Sequence, residues 1–277
     1  MIKLFLALII FPITAFSQEK IKKVIAGKNG QPLAYTNIIN IHSIKGTMTN
    51  DQGEFILEAA ITDTFKLTNI SFESRILSAK EILQMDTIFL TENIQTLAPI
   101  FINNFNLFKF QKEIGFFKEK GPHSYAFGPG SQLCVYLENI ENKEGWIKKV
   151  HFKIKQFNQC KNDFRIRLLQ FDTLTSSPGK DLVAENLIIP YAKLKKKNTL
   201  DVSTHHIIIP KEGLFMVIEW LGSDDLCANK SYPSIEAGED TDRGITWINL
   251  RDRKWSQYKS SKSKVGTPKI GITVTYQ

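Results

Sequence analysis

From Lys149 to Lys155 the chain alternates basic and apolar side chains. On a β-strand this period of two sends Val150, Phe152 and Ile154 to one face and Lys149, His151, Lys153 and Lys155 to the other. The stretch "DFRIRLLQF" repeats the pattern, burying Phe164, Ile166 and Leu168 and turning out Arg165 and Arg167. If the two strands are neighbours, these cations form one basic face suited to anionic glycans or lipid headgroups. The same pattern also describes a solvated sheet surface, where lysine guards against edge aggregation. Trp247 and Trp255 flank a turn in "GITWINLRDRKWSQY", and their rings offer flat apolar faces for stacking on sugars. Trp247, Trp255, Lys149, His151, Lys153, Arg165 and Arg167 are therefore the candidate ligand face.

Other chemistry is weakly represented. His205 and His206, read as strand neighbours, point to opposite faces and cannot chelate together. The acidic runs "SDDLCAN" and "EAGEDTD" offer oxygen ligands for Ca²⁺ but lack the EF-hand spacing. There is no Gly-rich phosphate loop, no Gly-x-Ser-x-Gly elbow and no nucleophile with a nearby base. The sequence points to a binding protein, with neither catalysis nor a cofactor implied.

The elements that must position these residues belong to a globular chain of 277 residues, long enough for one large or two ordinary domains. Thirty-six basic against 28 acidic residues give a net charge of +8, which suggests an anionic neighbour. Near the start, Lys3 precedes "LFLALIIFPITAF", and "AFSQ" places Ala15 and Ser17 at the small-residue positions of a signal peptidase site. Residues 1–17 are thus expected to be a signal peptide, cut before Gln18. No later run is long enough to span a bilayer. The mature chain is expected in the periplasm, at the outer-membrane surface or outside the cell, where nucleic acid is not a partner. Cys134, Cys160 and Cys227 are too few for a disulfide framework: an oxidising compartment permits one bridge with one thiol left over, and three buried free thiols fit the sequence equally well.

After the cut, short alternating stretches separated by turn residues describe a small antiparallel sandwich. "IKKVIA" closes on "GKNG", and "QPLAYTNIINIH" follows. "GTMTNDQGEF" reads as a hairpin in which Asn50, Asp51 and Gly53 make the turn. Phe55 and Leu57 then face one way, Glu54, Ile56 and Glu58 the other. "SAKEILQM" suggests a helical turn and "DTIFL" another strand.

These residues resemble the carboxypeptidase-regulatory-like domain. The resemblance rests on Gly30, Pro32, Leu33, Ala34, Asn37, Ile38, Gly46, Thr47, Thr49, Asn50, Gly53 and Phe55, in the order that family has them. It covers about residues 20–92. It departs from the pattern at Lys22-Lys23-Val24, where Gly-x-Val is usual, and at Phe72-Glu73, where many relatives carry Gly-Tyr. The resemblance implies a seven-stranded, transthyretin-like sandwich at the N-terminus of an exported protein of Gram-negative bacteria. It does not imply peptidase chemistry. Zinc carboxypeptidases need His and Glu ligands, and none of His42, His123, His151, His205 or His206 begins a His-x-x-Glu.

Residues 93–130 read as a linker, with a possible strand in "NIQTLAPIFI" and a Phe- and Lys-rich connector ending at "GPHSYAFGPGS". From Ser131, about eight strand signals imply a second, jelly-roll-like β-sandwich over 131–277. This half resembles the C-terminal sandwich that accompanies the same module in a group of exported bacterial proteins, a likeness that transfers architecture and no activity. The expectation is an all-β, non-enzymatic envelope protein with a structural or protein-docking role. The alternative is carbohydrate binding by the C-terminal sandwich. An exposed row of aromatics on one sheet face would favour glycan, and an apolar patch or bare edge would favour a protein partner.

Overall fold

The computed structural model describes residues 19–43, 45–93, 110–117, 123–222, 231–241, 245–251, 254–258 and 266–276. The expected signal peptide, the "NIQTLAPIFI" strand after its first residue, Asn93, and Cys227 lie outside these residues. The chain is nearly all β, arranged as two sandwiches.

Among the described residues the first module has seven strands: β1 (Glu19–Gly27), β2 (Asn37–Asn40), β3 (Gly46–Met48), β4 (Glu54–Ala59), β5 (Thr64–Thr68), β6 (Arg75–Ser78) and β7 (Thr87–Leu90). They form a three-stranded sheet, β4-β1-β7, and a four-stranded sheet, β3-β2-β5-β6. Period-two patterning buries Phe55 and Leu57 on β4 and Phe65 and Leu67 on β5, where they meet Ile25, Ile38 and Ile88 in one core. The helical turn α1 (Ala79–Gln84) begins at Ser78, whose hydroxyl accepts from the Glu81 N–H. The Glu81 carboxylate accepts in return from the Ser78 N–H at 2.7 Å, completing a capping box.

The expected hairpin at residues 46–55 is instead a corner between layers. β3 pairs with β2, while β4 pairs with β1 in the other sheet. The turn chemistry is nevertheless as expected. Asn50 Oδ1 accepts from the N–H groups of Gln52 and Glu54, each at 2.9 Å. Gly53 has φ +71°, and a Cβ there would lie 2.5 Å from the Ile25 carbonyl oxygen, so both conformation and space demand glycine. Buried Thr49 ties the corner down, accepting from the Thr36 N–H at 2.8 Å and donating to the Leu33 carbonyl at 2.6 Å.

The second module comprises β8 (Phe110–Gly115), β9 (Ser124–Tyr125), β10 (Gln132–Leu137), β11 (Gly145–Gln156), β12 (Phe164–Asp172), β13 (Ser177–Asp181), β14 (Leu187–Ile189) and β15 (Lys197–Asp201). It continues through β16 (Ile208–Ile209), β17 (Leu214–Trp220), β18 (Ser234–Thr241), β19 (Thr246–Asn249), β20 (Ser256–Gln257), β21 (Gly266–Pro268) and β22 (Ile270–Tyr276). One sheet runs β13-β12-β17-β10-β19-β20, with β14 also on β12. The other runs β21-β18-β11-β22-β8, with β15 and β16 on β11 and β9 on β18. Their inner faces interlock in a single core: Phe152 of one sheet meets Phe164 of the other edge-on at 6.0 Å, and Phe164 meets Trp220 at 5.3 Å. The indole N–H of fully buried Trp220 donates to the Pro233 carbonyl at 2.8 Å, which satisfies its one polar atom.

The stretch 93–130, expected as a linker, contributes two strands to this module. β8 pairs with β22 and β9 with β18. Only Ile114 is buried along β8, so its sequence carries almost no apolar period. Cys160 is disulfide-bonded and Cys134 is a buried free thiol. No helix of the described residues is long and apolar enough to cross a membrane.

Candidate functional site

The residues expected to form one ligand face fall on three separate surfaces. Lys149, His151 and Lys153 lie on β11 in the eight-stranded sheet, and Arg165 and Arg167 on β12 in the seven-stranded sheet. The two strands are not neighbours, so the predicted joint basic face does not exist. Alternation placed both sets on outer faces correctly, but it cannot specify which sheet each strand joins.

The β11 stripe is not a bare comb of cations. A bulge between Ile147 and Lys149 interrupts its pairing with β22. Lys149 stands opposite Asp201 of β15. His151 lies between two hydroxyls, with Nδ1 3.0 Å from Thr199 Oγ1 and Nε2 2.6 Å from Thr273 Oγ1, under the edge of Phe117. Burial lowers its pKa, Glu113 opposes that shift and Lys149 adds to it. Lys153 donates to the Phe117 carbonyl at 3.1 Å, and burial followed by nearby Lys269 lowers its pKa. Acids and hydroxyls thus interleave with the bases.

His205 and His206 lie on a 3₁₀ turn and its left-handed end, not on a strand. His205 contacts Glu185 at 2.6 Å, while His206 stacks on Trp146. Among the described residues no group of three or more His, Cys, Asp or Glu is placed to hold a metal ion.

The outer face of the seven-stranded sheet is divided in two. Its first part is polar and carries the first module. Arg165 is 3% exposed rather than solvent-facing, and its guanidinium meets fully buried Glu219 of β17 at 3.1 Å. Glu219 also accepts from Asn37 Nδ2 of β2 at 2.9 Å, and Arg165 donates to the Tyr35 carbonyl at 2.7 Å. A third bond crosses from Ser71 Oγ to the Ala184 carbonyl at 2.6 Å. Tyr35 and Ser71 both hold positive φ, +56° and +67°. The Tyr35 carbonyl and the Ser71 hydroxyl thus reach the second module from backbone conformations that non-glycine residues seldom adopt. Next to the ion pair, Arg167 grips Asp181 through two bonds of 2.9 and 2.6 Å and donates to Gln132 Oε1 at 2.9 Å. Asn37, which the family resemblance marks as a motif residue of the first sandwich, is therefore also a joint residue.

The second part of this face is apolar and aromatic. Cys134, Leu169, Phe215 and Val217 are buried beneath partly exposed Tyr136, Phe171, Trp247 and Trp255. Register explains the cluster: Cys134 stands between Val217 and Trp247, and Phe215 between Tyr136 and Leu169. Tyr136 packs against Phe171 at 45° and Phe215 at 51°, and Trp247 meets Phe215 at 83°. The Tyr136 hydroxyl donates to the Glu212 carbonyl, and burial raises its pKa. Beyond Phe171, the turn into β13 presents Leu174 at 94% exposure. The sequence reading identified Trp247 and Trp255 but missed Tyr136, Phe171 and Phe215. Their signal was present in the alternation of β10, β12 and β17, whose outward positions are too apolar for a solvated face.

The chain matches no protein-family model, and none of the curated proteins is similar to it.

Proposed function

We infer that the protein is an exported, non-catalytic component of a cell envelope that docks another protein through the aromatic part of the seven-stranded sheet's outer face. The observation that carries this reading is the layer of Tyr136, Phe171, Trp247 and Trp255, partly open to solvent and packed over buried Phe215. Tryptophan and tyrosine are the anchors that dominate protein interfaces. Ring geometry favours a protein over a glycan. Sugar stacking uses ring faces turned outward together, whereas the partly exposed rings of Tyr136 and Phe171 tilt against each other by 45°, and the ring that lies parallel to Phe171, Phe215, is buried. The first module serves as the structural base of the site, and the ordered motif from Gly30 to Phe55 supports placing it in the carboxypeptidase-regulatory-like family. Export is supported by the apolar run of residues 4–16 and the small residues that follow it.

The reading is tested by replacing Trp255 with a photo-crosslinking amino acid and irradiating intact cells. A discrete protein adduct that disappears when Trp247→Arg is added is the expected result. Absence of a protein adduct, or one indifferent to Trp247→Arg, refutes docking at this face.

A further inference from the structure

The two modules do not close flush. Beside the Arg165–Glu219 pair, a cleft of about 170 Å³ remains between them, walled by Thr68 to Phe72 and Asn93 on one side and by β10, β12, β13 and β17 on the other. We propose that this cleft is a binding site for a small neutral polyol, a single sugar ring in size, which completes the joint between the modules. The proposal is independent of protein docking at the aromatic patch.

Charge excludes the ionic alternatives. The charged walls are two guanidiniums, Arg165 and Arg167, and two carboxylates, Asp181 and Glu219. They neutralise one another in place, Arg165 with Glu219 and Arg167 with Asp181. An anion entering the cleft would face both carboxylates, and a cation would face both guanidiniums. What remains is hydrogen-bonding capacity of both signs. The Nε–H of Arg165 is buried without a partner, a donor that desolvation makes costly to leave unused. Asn69 spends its Nδ2 on the Ala34 carbonyl and Thr36 Oγ1, which leaves Oδ1 as an acceptor. Hydroxyl groups serve donors and acceptors alike from a single atom without bringing charge, and a polyol offers several of them on one small ring. Phe72 supplies an apolar ring for the C–H face of a sugar.

Size narrows the class further. The volume corresponds to about six water molecules. It falls below the range of about 300–1,000 Å³ typical of drug-sized ligands, so an oligosaccharide can place only one ring inside.

The test is calorimetric titration and thermal melting of the mature chain with D-glucose, D-galactose, D-mannose and N-acetyl-D-glucosamine, alongside sodium acetate and phosphate. Binding by at least one sugar and neither anion is expected. Thr68→Phe, which fills the cleft, should abolish it. Asn93→Ala, at an exposed position where the fold is not at risk, should weaken it about tenfold, equivalent to about 1.4 kcal/mol. Trp247→Ala should leave it unchanged. The proposal is overturned if no sugar of the panel binds, if an anion binds instead, or if binding survives both cleft variants. Loss of sugar binding in Trp247→Ala would also overturn it, by placing the site on the aromatic patch.

Discussion

Arg165 and Glu219 face each other across adjacent strands of the second sandwich at 3.1 Å, yet each also holds the first module, through the Tyr35 carbonyl and the Asn37 amide. One ion pair therefore belongs to two hydrogen-bond networks. Removing water from two charges is expensive, and only their mutual contact and these further bonds offset the cost.

Arg165→Ala or Glu219→Ala alone should destabilise the protein by about 3–5 kcal/mol, because the surviving charge stays buried without its counterpart. Arg165→Met combined with Glu219→Leu should recover much of that loss. Urea denaturation of the three variants measures both effects. Single variants within about 1 kcal/mol of wild type would show that water replaces the missing partner.

Gly53→Ala should cost at least about 1–2 kcal/mol from its left-handed backbone alone. Contact with the Ile25 carbonyl adds to this, since a Cβ would sit 2.5 Å from it. A shift in the denaturation midpoint reports the loss. An unchanged midpoint would mean that the corner between β3 and β4 relaxes freely.

His151 makes folding stability depend on pH. Burial lowers its folded pKa below the unfolded value of about 6.5, so the unfolded chain binds the proton more readily. Its influence is absent well above pH 6.5. Stability falls as pH drops from there toward the folded pKa, and the penalty is complete below it. His151→Gln should flatten this segment of the stability–pH curve, as read by denaturant titration at successive pH values. A curve of unchanged slope would show that His151 does not titrate differently on folding.

Cys134 should resist alkylation in the native protein. Its thiol is fully buried on the outer face of β10, and desolvation pushes its pKa well above the usual thiol range, so little reactive thiolate forms. Peptide mapping after iodoacetamide treatment should find Cys134 modified only once the chain is unfolded. Modification in the native state would indicate that the aromatic layer above it opens.

Much of the two sandwiches was legible because strands declare themselves by alternation. The inward sets on β4, β11 and β12 follow from the sequence directly, whereas β17 is buried at every position and its two faces are not told apart by alternation. The turn at Asn50–Gly53 was equally readable, since its chemistry is local. What the turn connects was not, because β3 and β4 choose partners far along the chain. Arg165 illustrates the same limit at the site. A period of two says that its side chain leaves the sandwich core, but not that another module waits there. Glu219, inside the apolar run "LFMVIEWLG", was the available hint: a lone carboxylate flanked by buried residues needs a partner.

The pairing of Ile114 with Ile272 has a consequence in time. Among the described residues β8 bonds only to β22, so when residues 110–115 leave the ribosome the strand that must receive them has not been synthesised. β22 also lies between β8 and β11, which leaves that side of β11 unpaired over the same interval. The eight-stranded sheet therefore cannot be completed until residues 270–276 are released, whereas the seven-stranded sheet contains no part of that strand.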